Sequence, residues 1–111
     1  VRYIYIASPY TGKSPDDHLP NVERSMDAAE RLVKLGYLPF LPLLYHYWDE
    51  RYPHSYDFWV YTSEQWIRKC DAVLRLAGTS KGADSEVACA KRLGIPVFYS
   101  IEELSNAPSP A

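Results

Sequence analysis

The segment "AGTSKGADSE" (Ala77 to Glu86) brings small residues and one carboxylate together at the start of a helix. A loop rich in Gly, Ala and Ser lets another backbone or a ligand approach closely, and the helix entrance presents free N–H groups. Glu86 follows this loop, with Val87, Ala88 and Ala90 after it, so that part of the helix is expected to lie against other elements. Ala83, Val87 and Ala90 mark a packed face, and Glu86 borders it. Asp84 stands two residues earlier and points to a different face, as a solvated or capping acid. An ionised carboxylate, supported by the helix N-terminus beside a sugar-sized pocket, is what a glycosyl-transfer nucleophile needs. The same pattern also suits a plain strand-to-helix turn with a solvated first-turn acid. The loop has neither the P-loop lysine spacing nor GxGxxG.

The elements that must position this loop follow from periodicity. "YIYIAS" (Tyr3 to Ser8) reads as a buried first strand. Gly12 to Pro20 reads as a loop, and Val22, Met26, Ala29 and Val33 as one face of a helix. Asn21 is the expected N-cap and Gly36 the residue just past the last turn. "YLPFLPLL" reads as a second strand placed near a sheet edge by Pro39 and Pro42. The segment "YHYWDERYPHSYDFW" (Tyr45 to Trp59) has no clear period, and Pro53 opposes a continuous helix there. A helix is expected from Asp57 to Lys69, a strand at "DAVLRLA", a helix from Asp84 to Leu93 and a strand at "IPVFYS". "IEEL" reads as one more helical turn, and residues 106–111 as a disordered tail after a single domain spanning 1–105.

The order βαβαβαβ implies an α/β architecture with a parallel, doubly wound sheet. Ligands bind such sheets beyond the carboxyl ends of the strands, at a topological switch point. That rule selects Ala7 to Thr11, Leu43 to Asp57 and Ala77 to Glu86, and gives Asp71, at the other edge, a structural role.

Composition narrows the partners. A chain of 111 residues suffices for one compact domain. Net charge is −2 with no basic run, which opposes nucleic-acid binding. No apolar segment approaches the length of a membrane span, and the N-terminal run reads as a strand, not a signal peptide. Cys70 and Cys89 follow no metal or redox spacing and read as small core residues of a cytoplasmic protein. His46, His54, Asp49, Glu50 and Asp57 match no zinc pattern, so neither metal nor cofactor is expected. Ten tyrosines and three tryptophans suit a pocket and a subunit interface, and a homo-oligomer is expected. Trp48, Tyr45 and Tyr47 are candidates for stacking on a base, whereas Trp59 and Trp66 read as helix packing.

"IYIASPYT", "GYLPFLP" and "DAVLRLAGTSKGADSEVACAKRLGIPVFY" resemble the nucleoside 2-deoxyribosyltransferase-like superfamily, in particular its short members with an SKGAxxE loop. The resemblance covers the first strand, the first helix and Asp71 to Tyr99, not the aromatic run 45–61. It implies a flavodoxin-like or Rossmann-like single-domain sandwich with four to five parallel strands. It implies that Glu86 is the nucleophile attacking the anomeric carbon of a deoxynucleoside or its 5′-monophosphate. It also implies that Ser8, Pro9 and Tyr10 line the sugar pocket. Six residues before the glutamate, deoxyribosyltransferases carry an Asp, and related nucleotide N-glycosidases carry a Ser that contacts phosphate. This chain has Ser80, which leans toward hydrolysis or a phosphorylated ligand. Gly82 and His46 complete the expected substrate site, and Asp57, then His46, then Tyr10 are the candidate proton donors. A non-catalytic nucleotide-binding module of the same fold is the alternative.

Overall fold

The computed structural model describes residues 2–9 and 18–107. Its elements run β1 (Arg2–Ala7), α1 (His18–Lys34), β2 (Tyr37–Phe40), α2 (Leu43–Arg51), α3 (Tyr56–Lys69), β3 (Ala72–Arg75), α4 (Lys81–Arg92), β4 (Val97–Phe98) and α5 (Ile101–Asn106). The four strands form one sheet in the order β2-β1-β3-β4, parallel throughout. The α/β architecture and the four-stranded parallel sheet agree with the sequence reading. So does the edge position of β2, where Pro39 costs the ladder least.

Strand alternation sorts the core into two layers. Ile4, Ile6, Ala72 and Leu74 face α1 and α5, packing with Leu32 and Leu104. Tyr5, Ala7 and Val73 face the other way, toward Ile67 of α3 and Ala83, Cys89 and Ala90 of α4. Cys89 is therefore a core residue and Cys70 is half-buried beside it. Small side chains on α4 let that helix lie close to the strands.

Several boundaries differ from the sequence reading, each for a local reason. Helix α1 begins at His18, so Pro20 lies in its first turn, where a missing N–H costs nothing, and Asn21 is not the cap. Its buried stripe is Val22, Ser25, Ala29 and Leu32, while Met26 and Val33 are exposed. Counting apolar residues alone passes over Ser25, whose hydroxyl is buried but bonded to that of Ser8 at 2.5 Å. Strand β2 stops at Phe40, and Leu43 and Leu44 belong to α2. The chain breaks at Tyr52 to Ser55 around Pro53, and Ser55 caps α3 by accepting from the Phe58 amide at 3.1 Å. Ser80 caps α4 through the Ala83 amide at 3.1 Å, so this helix starts three residues before Asp84. Ser105 and Asn106 belong to α5, and 108–111 lie outside the described residues.

Gly36 has φ of 93° just past α1, the left-handed conformation expected of it. Asp71 is structural: its carboxylate accepts from the Tyr3 amide at 2.7 Å and its own amide donates to the Tyr3 carbonyl. Among the described residues no helix is long and apolar enough to cross a membrane.

Leu32 is fully buried between α1 and the sheet. Leu32→Ala is expected to lower the unfolding free energy by about 2–5 kcal/mol, read as a lower urea midpoint at unchanged slope.

Candidate active site

A cavity of about 880 Å³ opens beyond the carboxyl ends of β1 and β3. These neighbours lie where the chain turns from building one side of the sheet to the other, the switch point at which α/β proteins place ligands. Ser8 and Pro9 come from the end of β1, Asn21 and Arg24 from α1, Tyr45 and Asp49 from α2, and Trp59 and Ser63 from α3. The loop 78–80 and the first turns of α4 close the remaining wall and carry Glu86.

Glu86 is part-buried, and its Oε2 accepts a hydrogen bond from the hydroxyl of Tyr5. Tyr5 is fully buried in the centre of β1, so this partner cannot swing away. Burial pushes the Glu86 carboxyl up to about 7, against the Tyr5 bond and the positive charge of Arg75, which both favour the ionised form. The sequence reading has the helix N-terminus helping to keep Glu86 ionised; burial works against that and favours the acid form. Asp84 and Glu86 do face different ways, since Asp84 is largely exposed and pairs with Arg75 at 3.0 Å.

The aromatic wall is built from α2 and α3. Tyr45 lies 5.2 Å from Trp59, ring centre to ring centre. Its hydroxyl is buried without a hydrogen-bond partner among the described residues, and burial, then the charge of Glu86, push it up to about 12. The indole N–H of Trp59 donates to Asp49 Oδ1 at 2.6 Å, and the His54 amide donates to the same oxygen at 2.9 Å. Trp59 therefore belongs to the site and not only to helix packing. Trp66 does pack, stacking on Phe40 at 4.7 Å. Among the described residues no three His, Cys, Asp or Glu side chains converge to hold a metal ion.

Of the residues expected in the site, Glu86, Ser8, Pro9, Ser80 and Gly82 line this one cavity. Ser80 spends an acceptor lone pair on capping α4, which leaves its hydroxyl able to donate to a ligand. Asp57 does not join them: it sits exposed in the first turn of α3, outside the cavity wall. The helix starts at Tyr56 under the Ser55 cap, which turns Asp57 to solvent. Tyr10 and the side chain of His46 lie outside the described residues. Tyr5, which bonds Glu86, and Arg24, which lines the cavity, were not legible as site residues. For Tyr5 a signal existed, since it shares strand parity with Ala7 and not with Ile4 and Ile6.

Gly78 makes the loop's close approach possible. It has φ of 124°, and a Cβ there would stand 2.9 Å from Cγ of Pro9. Gly78→Ala is therefore expected to destabilise by about 1–3 kcal/mol and to disturb the cavity, seen as a lower melting temperature with shifted amide resonances for residues 78–83.

The raised Glu86 carboxyl fixes a pH dependence of stability. The folded state holds this proton more tightly than the unfolded chain, so stability is lost as pH rises from the ordinary carboxylate range through about 7. Glu86→Gln removes that loss. The variant is expected to exceed the parent by about 1–3 kcal/mol at pH 8 and to match it near pH 4, measured by urea unfolding.

A solved structure of a 2-deoxyribosyltransferase from the psychrotolerant bacterium Bacillus psychrosaccharolyticus has the same fold. The TM-score is 0.62 over 96% of this chain and 92% of that chain, at 18% sequence identity. That protein is described as a biocatalyst for the synthesis of nucleosides. No curated protein matches the sequence. A family model spans almost all of the described fold, residues 2–100, and the chain belongs to that family, the domain of unknown function DUF7768.

Proposed function

We propose that the protein cleaves or transfers the N-glycosidic bond of a deoxynucleoside or deoxynucleoside 5′-monophosphate, with Glu86 as nucleophile. The observation that carries this reading is the placement of the Glu86 carboxyl. It is held by Tyr5 in the wall of a cavity at the sheet's switch point, on a fold shared with a 2-deoxyribosyltransferase. In the ionised form, a Glu86 oxygen attacks C1′ as the C–N bond breaks and its electron pair leaves with the base. Water or a second base then displaces the sugar from the glutamyl ester, giving retention overall. The base takes up a proton as it leaves. Asp49 replaces Asp57 as the candidate donor, because it lines the cavity and Asp57 does not. Ser80 and the N-terminus of α4 offer donors to a 5′-phosphate, and Tyr45 and Trp59 offer faces and edges to the base.

The second reading is a nucleotide-binding module without turnover. The upward shift of the buried Glu86 carboxyl favours it, since a neutral carboxyl is a hydrogen-bond donor and a poor nucleophile. In either reading the exposed tyrosines 52, 56 and 61 supply the surface for a homo-oligomer. Light scattering at working concentration is expected to give at least a dimer, and a monomer would count against the assembly.

The deciding assay incubates the protein with the deoxynucleosides and their 5′-monophosphates and follows free base. Release is expected to rise with pH to a plateau above about 7, because the carboxylate is the reactive form. Glu86→Gln is expected to lose release while keeping ligand binding. Ser80→Ala is expected to weaken a 5′-monophosphate by roughly tenfold or more, and the matching nucleoside far less. Binding without release by the parent protein would establish the module instead.

A further inference from the structure

Arg75 is the anomaly of β3. The other residues of the strand, Ala72, Val73 and Leu74, are fully buried and apolar, and a guanidinium follows them with its side chain only 9% exposed. Burying a cation is costly unless its hydrogen bonds are satisfied. Here they are. Nη1 donates to the Leu76 carbonyl, and Nη2 donates to the Gly78 carbonyl at 2.8 Å and to Asp84 Oδ1 at 3.0 Å. One planar fork thus ties the end of the strand, the small-residue loop and the first turn of α4. Lysine has the charge but gathers its donors on one nitrogen, whereas the guanidinium reaches these acceptors from two.

Strand parity puts Arg75 on the same sheet face as Tyr5 and Val73, the face covered by α3 and α4. Glu86 lies on that side, between the two strands' contributions. Tyr5 of β1 bonds it, and Tyr45 of α2, Arg75 of β3 and Cys89 of its own helix are coupled to it through charge. Arg24 from α1, Asp49 from α2, Glu64 from α3 and Lys81 of α4 stand around the same cavity. Among the described residues Arg75 is the cation whose charge acts on the Glu86 carboxyl.

We propose that Arg75 is the positioning residue of this site: its guanidinium shapes the loop that leads to Ser80 and supplies the fixed positive charge under which Glu86 works. The two tasks are separable. The fork holds the carbonyls of residues 76 and 78, and so the path of the chain into the cap of α4. The charge favours the ionised form of Glu86 against its burial. The inference takes Glu86 as the working carboxylate of the preceding section, but its test needs no turnover.

The test uses protein labelled with ¹³C at the glutamate carboxyls, the Glu86 signal being assigned by its absence in Glu86→Gln. Removing the charge with Arg75→Met is expected to move the Glu86 titration midpoint up from about 7 by about one pH unit. Arg75→Lys is expected to keep the midpoint within about 0.3 of the parent's, since the charge remains. The same lysine variant is expected to speed hydrogen exchange of the Ala83 and Asp84 amides about tenfold, with the central strands unchanged, because the fork is lost. An unmoved midpoint in a folded Arg75→Met overturns the charge role. Unchanged exchange at Ala83 and Asp84 in Arg75→Lys overturns the positioning role. Should the methionine variant fail to fold, the lysine variant still decides: a midpoint shifted as far as one pH unit, or unaltered exchange, rejects the inference. Absence of base release in the assay above would reject the glycosyl chemistry and leave these readouts standing.

Discussion

The burial of one carboxyl group organises this end of the molecule. Glu86 is taken out of water by α4 and the strands beneath it, and that desolvation outweighs the Tyr5 hydroxyl bond and the Arg75 charge, which both favour the ionised form. A group held in this condition needs partners that cannot move. Tyr5 is locked in the middle of β1, and Arg75 is locked by two carbonyls and Asp84. The close packing that buries Glu86 rests in turn on small residues. Ala83 and Ala90 bring α4 against the sheet, and Gly78 lets the loop pass over Pro9 with no room for a side chain.

Topology then decides where this group faces. With β1 and β3 adjacent and parallel, their carboxyl ends leave a crevice, and α2 and α3 fold over it with an aromatic wall. Asp49 links the two helices by accepting from Trp59 and from the His54 amide, so the wall is braced by hydrogen bonds as well as by ring contacts. Ser8 and Ser25 play the matching part on the other face, joining the end of β1 to α1 through buried hydroxyls. The cavity is thus bounded by elements tied to one another and not only to the sheet.

Much of this was legible in the sequence, for local reasons. Strands rich in β-branched and aromatic residues, the Gly36 stop, Pro39 in an edge strand and the Pro53 break are each short-range signals, and each held; Pro42 instead precedes α2. Ala83, Val87 and Ala90 were identifiable as a packed face because helical spacing is a local property. The misreadings came where tertiary partners override local character. Ser25 is polar yet buried, because Ser8 satisfies it. Asp57 is acidic and near the site in sequence, yet the cap at Ser55 turns it outward. Tyr5 and Arg75 are separated by 70 residues, and the β1–β3 register sets them on one sheet face, Tyr5 bonded to Glu86 and Arg75 acting on it through its charge. No window along the chain contains that coincidence.

The central claim is that Glu86 forms the bond to the sugar. The most direct measurement is intact and peptide mass spectrometry after acid quenching of the protein with 2′-deoxy-2′-fluoroarabinosyl nucleosides and their 5′-monophosphates, whose electron-withdrawing fluorine slows breakdown of a glycosyl-enzyme. The account predicts a mass gain of one glycosyl group per chain, carried by the peptide containing Glu86 and absent in Glu86→Gln. Release of base with no adduct, or an adduct on a different residue, would contradict it.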